Sequence, residues 1–295
     1  MSNESEVPGR STERYRVVVE RDVRISMPDG THLAMDVYLP DTSGPFPVLL
    51  ERTPYDKSAS MEIRMDAPNY FASRGYAVVI QDVRGCFKSE GDFDFVVNDG
   101  WGKRRDGYDT VEAIARFPWC NGRIGTIGGS YTGWTQYFLA PTRPPHLTTQ
   151  YVREASGDIY FDIFQGGALD LAGCVHPTLY EALRRLVRLG LDPVREALHA
   201  RISADFERLD DVHRRRPLVP ILPPGHPELS SPGDEAAWHH PSKDTHWRTY
   251  DALARANDID VPIAHLGGWY DLFAEATIAM FGAIRDRGGA KARGN

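Results

Sequence analysis

Ser130 ends an apolar run and stands before residues able to open a helix, in the string IGTIGGSYTG that runs from Ile124 to Gly133. A serine hydroxyl attacks a carbonyl well only when a sharp turn projects it towards substrate and base, and small neighbours let the backbone bend without clashing. Gly128 meets the first glycine of the G-x-S-x-G pattern, Thr132 occupies the place of the second, and Gly133 follows one residue later. The chemistry on offer is acyl transfer through a serine. The competing reading is an ordinary turn, where Gly and Ser are also common.

Such a turn needs a strand before it and a helix after it. Residues 15–40 alternate apolar and polar side chains on either side of Pro28-Asp29-Gly30, the pattern of an antiparallel hairpin. PVLLERT (47–53) and YAVVIQDV (76–83) are short, nearly continuous apolar runs that suit strands buried on both faces, with a helix near Ala67–Arg74 between them. A helix over 107–117 places Val111, Ile114 and Ala115 on one side and stops at Pro118, before the strand that reaches Ser130. Strand, helix and strand in that order predict an α/β fold. From about Ser156 to Tyr250 the texture is helical, notably Tyr180–Arg188, followed by a proline-dense loop at 217–227. VPIAHLGGWYD (261–271) reads as a further core strand ending in a loop, and Phe273, Ala276, Ile278 and Phe281 supply the apolar positions of a helix after it. The division expected is a disordered lead over 1–14, a core over 15–155, a mainly helical cap insertion over 156–250 and a second core part over 251–295.

The composition sets bounds on partners. The 295 residues are 41% hydrophobic and 25% charged, enough apolar material for a core. A net charge of -7 argues against a nucleic-acid partner, and the one sharp basic run, Arg214-Arg215-Arg216, reads as a solvated helix end or loop. Three cysteines, Cys86, Cys120 and Cys174, form no C-x-x-C pair, so neither a disulfide framework nor a zinc knuckle is implied. With no apolar signal region at the N-terminus and no run of roughly 20 apolar residues, a cytoplasmic protein without a membrane partner is expected.

Five blocks in one order carry a more specific resemblance: PDGTHLAMDVYLP; ERTPYDK; FASRGYAVVIQDVRG with SEG; DGYDTVEAIARFPWCNGRIGTIGGSYTG; and HLGGWYDLF. Over about Val17–Asp271 the chain resembles the CocE/NonD hydrolases, close to the X-Pro dipeptidyl-peptidase (S15) group. The resemblance implies an α/β-hydrolase fold and a serine hydrolase that needs neither metal nor organic cofactor. It implies Ser130 as nucleophile, the Tyr131 amide and the Tyr55 hydroxyl as oxyanion donors, and Asp271 as the acid that orients a histidine. The substrate implied is a small ester, an amide or a short peptide. Tyr55 is open to a plainer reading as a turn tyrosine packed on the sheet edge, and Asp271 to one as a helix cap. Asp82 and Arg84 read as a structural ion pair or loop anchor. Trp134, Trp269 and Phe87 are candidates for an acyl pocket.

The α/β-hydrolase order of serine, acid and histidine calls for a histidine after Asp271, and the chain contains none. His265 precedes the acid and reads as a structural neighbour; His226, His239, His240 and His246 are the alternative bases in the cap. The family pattern continues with a final core strand, the histidine and a jelly-roll domain, so a fragment of a longer enzyme is expected in preference to a natural truncation. A peptidase acting on X-Pro bonds is the nearest alternative, with Asp158, Asp162 and Asp170 as candidate receptors for a substrate amine. A non-catalytic binding module is the other.

Overall fold

In the computed structural model, residues 11–58, 67–230 and 238–293 are described. Of the lead expected over 1–14, residues 1–10 lie outside them, while the Arg14 and Tyr15 amides both donate to the Ser73 carbonyl. The alternating segment forms β1 (Val17–Ser26) and β2 (His32–Pro40), paired antiparallel with Ser26 opposite His32 across the predicted turn. The two continuous apolar runs form β3 (Phe46–Thr53) and β4 (Ala77–Asp82), with α1 (Ala67–Ala72) between them. Every residue of β4 is buried, the apolar run 77–80 as a strand covered on both faces requires and the polar Gln81 and Asp82 with it.

Next come α2 (Asp106–Ile114), β5 (Cys120–Gly129), α3 (Tyr131–Leu139) and β6 (Leu147–Arg153). Helix α2 stops short of Phe117, although its inner face holds Val111 and Ile114 as predicted. Strand β6 has no counterpart in the sequence reading, because Thr148, Thr149 and Gln150 break the apolar run that marks the other parallel strands. The sheet order is β1-β2-β4-β3-β5-β6 and then β9 (Ile263–Leu266), antiparallel as far as β4 and parallel beyond it.

Between β6 and β9 lie α4 (Ile159–Ile163), a small pair β7 (Phe164–Gln165) and β8 (Ala168–Leu169), and three helices. These are α5 (Leu171–Leu189), α6 (Pro193–Glu207) and α7 (Leu209–His213). Val175, Leu179, Leu186, Ile202 and Val212 bury against one another and against Ile221 of the proline-rich loop, a core separate from that of the sheet. Arginines of α5 fasten this helical segment to the sheet's loops: Arg188 donates to the carbonyls of Gly85 and Gly91, and Arg185 to that of Phe93 at 3.1 Å. The basic run 214–216 is exposed after α7, with Arg215 paired to Asp205.

Strand β9 is shorter than predicted. Pairing ends at Leu266, and Gly267 to Tyr270 are exposed, Trp269 at 84% and Tyr270 fully. The helix that follows, α8 (Ala274–Arg287), buries Ala276, Thr277, Met280 and Ile284, while Ile278 and Phe281 face outward. Among the described residues no helix is long and apolar enough to cross a membrane.

Candidate active site

Strands β3 and β5 are parallel neighbours, so the loops leaving Thr53 and Gly129 emerge side by side at the carboxyl edge of the sheet, where α/β sheets bind ligands. This adjacency brings together two residues 75 apart in sequence: the Tyr55 hydroxyl lies 3.3 Å from Ser130 Oγ.

Ser130 has φ 53° and ψ -127°, a left-handed φ in a residue with a side chain. Such a conformation costs on the order of 1–3 kcal/mol and persists only where its surroundings impose it. Here its amide lies 3.2 Å from the Arg153 carbonyl and 3.1 Å from that of Glu154, and its own carbonyl accepts the amides of Gly133 and Trp134, the first turn of α3. Gly128 must be glycine, since a Cβ there would meet Thr132 Oγ1 at 2.1 Å; Gly133 must be small because a Cβ would meet Ala155 Cβ at 2.6 Å. The displaced second glycine is thereby explained. The close approach to the end of β6 falls on residue 133, while Thr132 turns inward and donates its hydroxyl to the Gly129 carbonyl at 2.8 Å.

The Tyr131 amide, next in the chain after Ser130, faces the Tyr55 hydroxyl closely enough to favour its ionised form, so a hydroxyl, an amide and the serine oxygen converge. Burial pushes the Tyr55 phenol above its ordinary value, outweighing the bonds from Ser130 and the Tyr131 amide that pull it down, and keeps it a protonated donor. The Tyr131 ring points inward, packed on Tyr55, Phe93, Phe95 and Trp134, its hydroxyl accepting the Val96 amide at 3.1 Å.

Asp271 lies five residues beyond β9, not at the strand's end as predicted. Its Oδ1 accepts the Phe273 amide at 2.7 Å in a turn that opens α8. The Phe273 ring meets Trp134 at 5.5 Å, one helical turn past Ser130, which brings the Asp271 turn to the start of α3. His265 is committed elsewhere: its Nδ1 is 2.7 Å from the Tyr137 hydroxyl, and burial lowers its pKa to about 4. Tyr137 is seven residues beyond Ser130, about 10 Å along the helix at 1.5 Å per residue. Of the other candidate bases, His226 pairs with Glu228 and His240 with Asp244, while His240 stacks on His246 at 4.1 Å. Among the described residues the side-chain partner of Ser130 Oγ is Tyr55, and no histidine reaches it.

Asp82 and Arg84 do not pair with each other. Arg84 makes two 2.7 Å bonds to Asp106 at the start of α2 and reaches Asp29 in the first hairpin turn, whereas Asp82 accepts the amides of Lys57 and Lys88. Both are anchors, with other partners. Of the aromatic candidates only Trp134 packs within the site; Trp269 is exposed, and Phe87, 44% exposed, lies under the Arg184 guanidinium. Sequence reasoning passed over Lys57, whose ammonium is buried between carboxylates; its one signal was its place in the TPYDK block.

Of the three carboxylates considered as amine receptors, two have partners and the third keeps a buried oxygen without one. Asp158 pairs with Lys243 and caps α4, and Asp170 caps α5. Asp162 is pushed up to about 8 by burial, against a bond from Ser156 and with the Asp158 charge adding to the rise, so it is neutral near pH 7. A folded value above the ordinary 3.8 means that protonation of Asp162 stabilises the native state fully in acid, and that this stability is lost as pH rises through about 8. Melting temperatures recorded from pH 5 to 9 should therefore fall less steeply in Asp162→Asn than in the wild type; parallel curves would refute the buried, protonated carboxyl. Among the described residues no three His, Cys, Asp or Glu side chains group as metal ligands.

A mostly parallel sheet in which an inner strand turns through a left-handed serine into a helix is the architecture of the α/β-hydrolases. A CocE/NonD family hydrolase from Staphylococcus aureus superposes with a TM-score of 0.58 at 25% identity, covering 83% of this chain and 40% of that one. An α-amino acid ester hydrolase superposes at 0.64 and 22% identity, covering 97% and 48%. Within that fold, the chain belongs to the X-Pro dipeptidyl-peptidase (S15) family, whose sequence model matches residues 29–293. Cocaine esterase from Rhodococcus sp. (strain MB1 Bresler) is 33% identical over 287 residues, 92% of this chain and 47% of that protein. The chain thus spans about half the length of that curated relative.

Proposed function

We propose that the protein is a serine hydrolase that cleaves a carboxylic ester or amide through an acyl-enzyme. The observation that carries this reading is the convergence of Ser130 Oγ, the Tyr55 hydroxyl and the Tyr131 amide at the carboxyl edge of the sheet. Ser130 attacks the carbonyl carbon, and the negative charge that develops on the carbonyl oxygen is met by the Tyr55 hydroxyl and the Tyr131 amide. Collapse of the tetrahedral species expels the alcohol or amine, and water then releases the acid. In this reading Asp271 orients the histidine that serves as general base. Residues 156–250 are read as a cap over the site, and the cytoplasm as its setting, in keeping with three free, buried cysteines.

An ester is favoured over an X-Pro peptide because Asp158 is paired with Lys243, Asp170 caps α5, and burial holds Asp162 in its neutral form, unsuited to a substrate ammonium. Incubation with a simple aryl ester and with an aminoacyl-prolyl anilide separates the two: ester turnover is expected, and turnover of the anilide alone would overturn the preference. A non-catalytic binding role is favoured by one observation, that no base touches Ser130 among the described residues. Stoichiometric labelling of Ser130 by a fluorophosphonate would exclude it.

A further inference from the structure

The loop that carries Tyr55 is held through two atoms of one residue. The Lys57 amide donates to Asp82 Oδ1 at 2.7 Å, and its ammonium lies 2.7 Å from both Asp36 Oδ1 and Asp22 Oδ1. Asp36, on β2, and Asp82, closing β4, are completely buried. The second oxygen of Asp82 accepts the Lys88 amide at 3.1 Å, so one carboxylate joins the loops leaving β3 and β4. On the near side, the Tyr55 amide donates to Thr53 Oγ1 at 3.0 Å. Tyr55 is therefore suspended between an anchor two residues before it and another two residues after it, and the intervening Asp56 takes a left-handed φ of 79°. Burying an ammonium and two carboxylates is costly unless each is paired, and here the pairing fixes residue 57 in both main chain and side chain.

We propose that Asp82 and Lys57 are positioning residues for the Tyr55 hydroxyl, setting its distance from Ser130 Oγ by holding the loop at residue 57. This rests on the serine-hydrolase reading above. A donor must sit within a few tenths of an ångström of the place where the oxyanion forms, so a loop that sags loses rate while substrate binding is nearly retained. Asp82→Asn keeps the shape of the side chain but can turn an NH₂ towards one of the two amides. It is expected to lower kcat about tenfold with KM within about twofold, a loss bounded by that of removing the Tyr55 hydroxyl itself.

The test is a double-mutant cycle with Tyr55→Phe. If Asp82 acts through Tyr55, Asp82→Asn changes kcat less than about twofold in the Tyr55→Phe background; an equal loss in both backgrounds means a general structural role and overturns the proposal. Lys57→Met is the second variant. Asp36 stays paired with Arg21 there, and the same cycle applies if Asp82→Asn does not fold. The ¹³Cζ resonance of Tyr55, assigned from its disappearance in Tyr55→Phe, gives a readout independent of turnover. Displacement of this resonance in Asp82→Asn or Lys57→Met supports the proposal, and an unmoved resonance in both overturns it. Absence of turnover in the wild type, with the resonance still displaced in Asp82→Asn or Lys57→Met, would refute the hydrolase reading alone.

Discussion

Ser130→Ala removes covalent labelling by a fluorophosphonate and takes ester turnover down to background, a loss on the order of 10⁴- to 10⁶-fold by analogy with other serine nucleophiles. The expectation is that large because in the proposed mechanism every later step depends on the acyl bond to Oγ, and only binding and the two proposed oxyanion donors survive its loss. The variant should melt close to the wild type. Alanine takes the same left-handed backbone at the same cost, and the lost side-chain bond to Tyr55 is a long one, at 3.3 Å. Intact mass after probe treatment and initial rates with an aryl ester make the measurement. A variant that still gains the mass of the probe would place the reactive hydroxyl elsewhere and end the proposal for Ser130.

Tyr55→Phe carries the second largest effect. In the proposed mechanism its hydroxyl is one of two donors to the developing negative charge, and deleting one such donor typically costs about 10²- to 10³-fold in kcat. KM should change little, because the carbonyl oxygen of the bound substrate carries far less charge than the oxyanion. Stability should drop by no more than about 1 kcal/mol, the ordinary net worth of one hydrogen bond. Parallel measurement of kcat, KM and melting temperature separates these contributions. A raised KM at constant kcat would make Tyr55 a ground-state binding residue instead.

Much of the site was legible because its local requirements are local in sequence. The strand before Ser130, the glycines beside it and the helix after it are demands of steric bulk and backbone dihedral within ten residues, and they can be read from IGTIGGSYTG. Where the partner is distant, reading fails in a characteristic way. Asp82 and Arg84 lie two residues apart and look like a pair, yet the chain leaves β4 so that one carboxylate turns towards the Tyr55 loop while the guanidinium turns towards Asp106 and Asp29. Ile278 and Phe281 look like core positions, but α8 buries the face bearing Ala276, Met280 and Ile284. Strand β6 was invisible because its sheet neighbours, not its own composition, make it a strand.

By itself the sequence determined the hairpin at the start, the buried runs of β3, β4 and β5, the turn at Ser130 and the family to which the whole belongs. Periodicity and glycine placement report burial and backbone freedom, and those are properties of each segment. Only the tertiary structure decided that Tyr55 meets Ser130, that His265 is spent on Tyr137, and that Asp158 and Asp170 are already engaged. The reason is topological. The chain runs from β3 out to β4 and returns to pair β5 on the other side of β3, and strand order alone brings two loops 75 residues apart to within a hydrogen bond.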